Sequence, residues 1–202
     1  MKIFCFSDVH GSKAAFERIY AIVKEQKPDA AICAGDLTVW GEKLDKLIKY
    51  LAALPLPVFI VHGNHESEEA MEAACAKYKN VAFVHKQMVR KGPLAVFGWG
   101  GGGFSAVDKE FDTFVKKHEQ KLKAIPALIF VTHGPPYGTK LDELNGDHTG
   151  SKSYSKFIKD FANVKLAVSG HLHENNGVQD KLGEAILINA GPHGYVINLN
   201  IK

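Results

Sequence analysis

The chain has 202 residues, of which 46% are hydrophobic and 23% charged, and its formal net charge is +3. This length and composition are typical of one soluble globular domain, which we expect over residues 1–202. The charge does not indicate nucleic acid as a partner, because the lysines are scattered and the densest cluster, at 116–123, falls on a predicted helix with acidic neighbours.

Apolar runs and helical faces alternate along most of the chain, which is typical of βαβ units and a largely parallel sheet. The runs that predict buried strands lie at 3–6, 30–34, 58–61, 128–131 and 166–168. Apolar residues at helical spacing predict helices near 16–23, 44–51, 67–78, 111–122 and 154–161.

Two stretches contain several short strands in a row. Residues 81–85, 87–90 and 94–98 predict consecutive antiparallel strands, and three more strands are predicted at 177–179, 184–189 and 194–199. These stretches predict a second sheet packed on the first, and therefore an α/β fold with two layers of sheet.

The cysteines and the N-terminus indicate the compartment. Cys5, Cys33 and Cys75 are odd in number and form neither a CxxC site nor a disulfide framework, which favours a reducing environment. Asp8 and His10 interrupt the first apolar stretch, so we expect no signal peptide, and no segment is long enough to span a membrane. We therefore expect a cytoplasmic protein that does not bind membranes.

Each of the five buried strands is followed directly by side chains that bind metals. They are Asp8 and His10, Asp36, Asn64 with His65 and Glu66, His133, and His171 with His173. Open α/β sheets place their sites at the carboxyl ends of strands, so we expect these side chains to meet. Oxygen and nitrogen donors without thiolate favour hydrolytic divalent metals over a closed structural zinc site.

Two divalent ions about 3.5–4 Å apart need a bridging ligand. Asp36 is the natural bridge because its carboxylate has two oxygens, and Asp8 and His10 can turn towards one metal where their strand ends. Two carboxylates against two dications leave a net positive cavity, which attracts a phosphate. A single-zinc hydrolase is the competing interpretation, but it would leave Asn64, His133 and His171 without a role.

Five motifs in this order resemble the signature of the calcineurin-like metallophosphoesterases. They are Asp8-x-His10, Gly35-Asp36, Gly63-Asn64-His65-Glu66, His133 and Gly170-His171-x-His173, which together span residues 8–173. The resemblance implies two packed mixed β-sheets flanked by helices, in a four-layer sandwich. It also implies a metal-dependent phosphoric ester hydrolase with two divalent metal ions, drawn from manganese, iron, zinc, nickel or cobalt.

The same resemblance implies a role for each motif residue. One metal would be bound by Asp8, His10 and His173, the other by Asn64, His133 and His171, with Asp36 bridging both. His65 would contact the phosphate and protonate the leaving oxygen, with Glu66 orienting its ring. General acid catalysis of this kind contributes about 10²–10⁴-fold in rate.

Departures from the family pattern reduce the number of substrate classes that this chain is expected to accept. Serine/threonine protein phosphatases of this family have Asp-Arg-Gly at the second motif, whereas Asp36 here is followed by Leu37 and Thr38, so the phosphate-binding arginine is missing. The His-Gly-Pro-Pro sequence from His133 resembles small phosphodiesterase-like members. We expect a phosphodiesterase acting on a small or nucleotide-like phosphoester. A phosphomonoesterase is the alternative, and a non-catalytic binding module is disfavoured because all seven ligand positions are filled.

Two further segments invite interpretation. The long polar loop at 134–151 is typical of functional loops, and from it we expect Tyr137 and His148 to line the substrate cleft. The glycine-rich segment 98–104 is interpreted as a turn before a helix, the alternative being a mobile rim on which Trp99 or Phe104 stacks against a ring.

Four other histidines lie outside the motifs. His85 and His118 are expected to be structural. His62 and His193 lie in loops near the predicted site, and their roles stay open.

Overall fold

The computed structural model describes residues 1–91, 94–102 and 105–200. Thirteen strands lie in the described ranges: β1 Lys2–Phe6, β2 Ala30–Cys33, β3 Val58–Ile60, β4 Val81–Phe83, β5 Gln87–Lys91, β6 Leu94–Trp99, β7 Leu128–Thr132, β8 Glu143–Leu144, β9 Asp147–His148, β10 Val164–Ser169, β11 Gln179–Leu182, β12 Ala185–Asn189 and β13 Tyr195–Asn198. The helices described are α1 Lys13–Gln26, α2 Leu44–Ala52, α3 Glu68–Cys75, α4 Lys109–Lys123 and α5 Lys152–Asp160, and a 3-10 turn spans His173–Asn175.

Eleven of these strands form two mixed sheets, and β8 and β9 pair separately as a short hairpin. The first has the order β13-β1-β2-β3-β4, with only β13 antiparallel to its neighbour. The second has the order β11-β12-β10-β7-β6-β5, with antiparallel pairs at its two edges. The carboxyl ends of the parallel strands within each sheet therefore lie at one edge.

Alternating side chains divide the core into three layers. Along β1, Ile3 and Cys5 point into the apolar layer between the two sheets, whereas Phe4 and Phe6 point to the layer beneath α1, α2 and α3. A third apolar layer, rich in phenylalanine, joins α4 and α5 to the outer face of the second sheet. The period-two alternation of strands explains how one strand supplies both layers. The predicted fold, two packed sheets flanked by helices, is confirmed.

Serine side chains cap the first turns of α1 and α3. The Ser67 hydroxyl accepts a hydrogen bond from the Ala70 N–H at 3.2 Å, so α3 begins at Glu68, and Ser12 caps α1 in the same way. The helix predicted at 67–78 ends earlier, at Cys75.

Two predictions about the strands are wrong. The three strands at 81–98 do not form one antiparallel set, because β4 joins the first sheet parallel to β3 while β5 and β6 open the second sheet. The first of the three terminal strands begins at Gln179, later than the sequence predicted. Local hydrophobicity marks a strand but not its partner, which is chosen by tertiary packing.

In the described parts of the chain, no helix has the length and apolarity needed to cross a membrane.

Candidate metal centre

The loops that follow β1, β2, β3, β7 and β10 meet at one edge of the sandwich. Backbone hydrogen bonds continue the strand pairing into these loops, because the Asp8 N–H donates to the Gly35 carbonyl at 3.0 Å and the Gly170 N–H to the His133 carbonyl at 2.9 Å. The loops are thereby fixed side by side, and the side chains of the five motifs project into a common space.

Four of the predicted ligands have left-handed backbone. The φ values are 52° at Asp8, 47° at His10, 51° at Asp36 and 70° at His171. Such conformations cost on the order of 1–3 kcal/mol each in non-glycine residues and concentrate at functional sites. Here they turn the backbone sharply after the strands end, so that side chains from different loops converge.

Asp8, His10 and His173 form the first group. Their donor atoms are closely spaced, with 3.4 Å between the Nε2 atoms of His10 and His173 and 3.5 Å from His173 Nε2 to Asp8 Oδ1. His10 Nδ1 lies 3.0 Å from the Thr38 carbonyl, which can only accept a hydrogen bond. Nδ1 therefore carries the proton, and the Nε2 lone pair is directed towards the group.

Asn64, His133 and His171 form the second group. Asn64 Oδ1 lies 3.0 Å from His133 Nε2 and 3.0 Å from His171 Nδ1. His133 is fully buried, and its Nδ1 donates to the Ala34 carbonyl at 2.8 Å. Its Nε2 lone pair, when the ring is neutral, faces the oxygen of Asn64, an arrangement that a cation between the two atoms would stabilise.

Asp36 lies between the two groups. Its Oδ2 is 3.4 Å from His133 Nε2 and 3.9 Å from His10 Nε2, and its Oδ1 accepts the His65 N–H at 3.0 Å. Burial raises the pKa of this carboxyl, but the hydrogen bond and charge of His133 and the contacts with His65 outweigh burial and bring the pKa to about 2. Asp36 is therefore ionised at neutral pH and faces both groups.

The spacing of these donors fits divalent cations. Three sets, namely Asp8 with His10 and His173, His10 with Asp36 and His65, and Asp8 with Asp36 and His133, each hold their donor atoms within 4.8 Å of one another. Nitrogen and oxygen ligands lie roughly 2.0–2.2 Å from a zinc ion. Ligands around one such ion are then about 3–3.5 Å apart. The separations of 3.0–3.5 Å within the two groups agree with that value.

Glycines let these loops approach so closely. A Cβ added at Gly63 would lie 2.0 Å from Asp36 Oδ1, and one at Gly170 would lie 2.4 Å from Asp8 Oδ2. Any larger residue at either position would displace the adjacent carboxylate.

His65 lies at the rim of the centre with its ring held by the preceding loop. The Trp40 N–H donates to His65 Nδ1 at 3.2 Å, so a neutral His65 ring carries its proton on Nε2. That nitrogen is 3.8 Å from Asp36 Oδ2 and therefore faces the metal-binding side chains.

The Glu66 carboxylate, which we expected to orient the ring of His65, bonds instead to Thr38 and Gly63. One carboxylate oxygen of Glu66 accepts the N–H and the hydroxyl of Thr38, both at 2.8 Å, and the other accepts the Gly63 N–H at 3.0 Å. Glu66 is buried and joins the second and third loops, because three donors surround its charge. It supports His65 indirectly, through the loop that carries Trp40.

Tyr137 and His148 lie in a hairpin loop that contains β8 and β9. His148 is exposed, its Nδ1 is 2.9 Å from Asp142 Oδ1, and its ring is 5.6 Å from the ring of Tyr137. The buried Asp142 also accepts the N–H groups of Thr139 and Gly150, so it fixes the loop. These contacts join the two residues to one another rather than to the metal-binding groups, and their place in a substrate cleft stays a prediction.

Two residues near the start of the glycine-rich segment, Trp99 and Gly100, are packed against the rest of the protein. Trp99 ends β6 with 3% of its surface exposed, and its indole N–H donates to Asp108 at 2.8 Å, so the alternative in which Trp99 stacks at a rim is wrong. Phe104, the other residue considered for stacking, lies outside the described residues. The Gly100 N–H donates to His85 Nδ1 at 2.7 Å, which packs the segment against β4 and β5.

The remaining histidines differ in their surroundings. His85 is buried against Glu68 at 3.1 Å, and His118 bonds to the carbonyl of its own helix at 2.9 Å, as structural residues do. His62 is buried beside His85, and burial together with the charge of His85 lowers its pKa to about 4. His193 is exposed.

Trp40 is the residue of this region that sequence reasoning missed. Its ring lies 4.4 Å from that of His65, and 75% of its surface is exposed. Its only signal in the sequence is its position four residues after Asp36.

The model of the calcineurin-like phosphoesterase family matches residues 1–175. The chain belongs to this family. Like other calcineurin-like phosphoesterases, it is therefore a metal-dependent hydrolase of phosphoric esters.

Similar proteins support the assignment of the fold. An uncharacterised protein of Methanocaldococcus jannaschii is 28% identical over 98% of this phosphoesterase and 91% of its own length. The crystal structure of TT1561 from Thermus thermophilus is 21% identical with a TM-score of 0.77, covering 94% of this chain and 88% of that one. A dimetal phosphatase from Danio rerio is 11% identical with a TM-score of 0.66, over 97% and 91% of the two chains.

Proposed function

We propose that this chain is a binuclear phosphodiesterase that hydrolyses a small or nucleotide-like phosphoester. The observation that supports the proposal is that the seven predicted ligand side chains lie close together, as two groups of three with Asp36 between them. Asp8, His10 and His173 would hold one divalent ion, and Asn64, His133 and His171 the other. Manganese, iron, zinc, nickel and cobalt all suit such ligands, since affinity alone does not select among them.

Two bound ions would supply Lewis-acid polarisation of the phosphoryl group and activation of the attacking water. The chain's own contribution is positioning. The Thr38 and Ala34 carbonyls fix the tautomers of His10 and His133, so that the Nε2 lone pair of each neutral ring is directed towards the centre. Asp36, with a pKa of about 2, keeps its negative charge throughout the working range of such an enzyme.

His65 is the proposed acid for the leaving oxygen. Its Nε2–H faces the centre, because the Trp40 N–H occupies Nδ1 of the neutral ring. To transfer this proton the ring must first become an imidazolium, which then returns to the neutral form as the leaving oxygen takes the proton. The side chain is 19% exposed, so a leaving group can reach it from solvent. Protonation matters most for alkoxide leaving groups, which are poor, and this favours a phosphodiester of an aliphatic or sugar alcohol over an activated monoester.

The three candidate functions, phosphodiesterase, phosphomonoesterase and binding module, predict different results in one assay. Full-length protein is stripped with a chelator, reloaded with each of the five metals, and assayed against matched monoesters and diesters of the same alcohols. We expect hydrolysis to return with metal and kcat/KM to be higher for the diesters. A preference for monoesters would make the protein a phosphomonoesterase, and metal binding without turnover of any ester would make it a binding module.

Three further properties are proposed on separate grounds. Residues 1–202 form one domain, because β13 pairs with β1 and the Leu199 N–H donates to the Met1 carbonyl at 2.8 Å. The compartment is the cytoplasm, because Cys5, Cys33 and Cys75 are all free thiols and all buried. The partner is a small-molecule phosphoester rather than nucleic acid, because the net charge of +3 is low.

A further inference from the structure

Trp40 is unusually exposed for a large aromatic residue. Its side chain is 75% exposed, whereas the other exposed large hydrophobic side chains of the described residues are at most 50% exposed. An indole in water costs free energy that burial would recover, so its exposure beside a reactive centre requires an explanation.

The segment that presents Trp40 is rigidly supported. The Glu66 carboxylate accepts both donors of Thr38, and the Thr38 hydroxyl accepts the Gly41 N–H at 2.9 Å. Trp40 itself has a φ of 52°, a left-handed conformation that bulky residues rarely adopt. A segment built to hold a strained tryptophan outward is typical of a binding position.

The indole of Trp40 lies beside His65, on the side of the site where the leaving group would be. Its ring lies 4.4 Å from the ring of His65, at an interplanar angle of 39°. If His65 protonates the leaving oxygen, as the proposed function requires, the group attached to that oxygen must pass beside the indole. A planar group there would cover the exposed indole, and stacking of a base on an aromatic side chain contributes about 1–3 kcal/mol.

We propose that Trp40 determines specificity by stacking on an aromatic or heterocyclic part of the leaving group. The substrate class is then a phosphoester whose departing sugar or aliphatic alcohol carries a planar ring close to the ester oxygen, as a nucleoside does. This inference rests on the proposed function, since it places the leaving group by means of His65.

Binding is tested with two phosphonates of similar size, phenylphosphonate and cyclohexylphosphonate, on the zinc-loaded full chain. The chain has two tryptophans, and Trp99 is buried, so the difference in fluorescence between wild type and Trp40→Phe reports on Trp40. We expect phenylphosphonate to change the Trp40 emission and to bind about tenfold more tightly than cyclohexylphosphonate.

Variants of Trp40 and Val39 distinguish the contribution of the indole ring from that of the surrounding segment. Trp40→Ala keeps the backbone N–H that bonds to His65, so it removes only the ring, and it should abolish the tenfold preference. Trp40→Phe should keep most of the preference. Val39→Ala, at a neighbouring side chain that is 40% exposed, is the matched control and should retain it. For each variant, kcat/KM on methyl phenyl phosphate and on methyl cyclohexyl phosphate is divided by the wild-type value for the same substrate. Trp40→Ala should lose more on the phenyl ester than on the cyclohexyl ester, whereas Trp40→Phe should keep most of its activity on both and Val39→Ala should lose little on either.

Failure of the Trp40 proposal and failure of the proposed function would give different results. Equal binding of both phosphonates, or a preference that survives Trp40→Ala, overturns the role of Trp40 and leaves the proposed function standing. If neither phosphonate binds the zinc-loaded protein, the proposed function fails together with the inference. If Trp40→Ala turns a dimer into a monomer in sedimentation, the indole covers a second copy of the chain, and the stacking proposal is wrong.

Discussion

The close approach of Gly63 to Asp36 gives the sharpest test of how the centre is assembled. In Gly63→Ala the new methyl group would lie 2.0 Å from Asp36 Oδ1 and 2.6 Å from the Asp36 backbone nitrogen. The oxygen must retreat by roughly 1.4 Å to reach 3.4 Å, where ordinary van der Waals contact begins. The backbone nitrogen cannot move in the same way, because β2 and the loop after it are paired on both sides.

A displacement of this size should remove Asp36 from its place between the two groups. A misplacement of about 1 Å can cost 10²-fold in rate, so we expect kcat/KM to fall at least about 100-fold. Metal content, measured by elemental analysis after stripping and reloading, should fall as well. Overpacking should also lower the free energy of unfolding by about 1–3 kcal/mol, which a denaturant titration measures.

Gly134→Ala is the matched control for this variant. Gly134 follows the predicted ligand His133 and is buried, yet a Cβ at this position has nothing within 4 Å. We expect its metal content and rate to stay within twofold of wild type. A Gly63→Ala protein with full metal content and normal rate would refute the reasoning, because Asp36 would then not need the position it occupies.

Three further predictions concern the rim and the buried histidine. His65→Ala should keep its metals but lose more activity on alkyl diesters than on bis-p-nitrophenyl phosphate; equal losses, measured as kcat/KM, would exclude the acid role. Glu66→Gln should lose about 1.5–3 kcal/mol of stability in denaturant, because an amide nitrogen would face the donors of Thr38 or Gly63; an unchanged value would contradict the bridging role. His62 stays neutral in the folded protein down to about pH 4, whereas the unfolded chain takes up a proton near 6.5. Stability should therefore fall as the pH drops from 6.5 to 4, by about 3 kcal/mol more than in His62→Gln; parallel curves would rule this out.

Much of the site could be predicted from the sequence because its ligands follow strands. Buried strands are marked by short apolar runs, and the carboxyl ends of parallel strands meet at one edge. That argument brings together Asp8 and Asp36, which follow adjacent parallel strands of the first sheet. Their relative distances could not be predicted, since they depend on left-handed backbone at Asp8 and Asp36, which no local pattern marks in a non-glycine residue.

The errors have a common physical origin, which is that side-chain partners are chosen in three dimensions. Glu66 follows His65 in the sequence, but it bonds to Thr38, 28 residues away. Trp99 lies in a glycine-rich segment typical of a mobile turn, yet it is buried against the aromatic cluster beneath α4. Trp40 was overlooked because a single exposed aromatic residue in a loop has no periodic signature.

The number of metal ions bound per chain tests the central claim most directly. Elemental analysis of stripped and reloaded wild-type protein should give two divalent ions per chain. Asp36→Asn should lose both ions, because the carboxylate between the two groups loses its charge. One ion per chain in the wild type, or two in the variant, would contradict the binuclear centre.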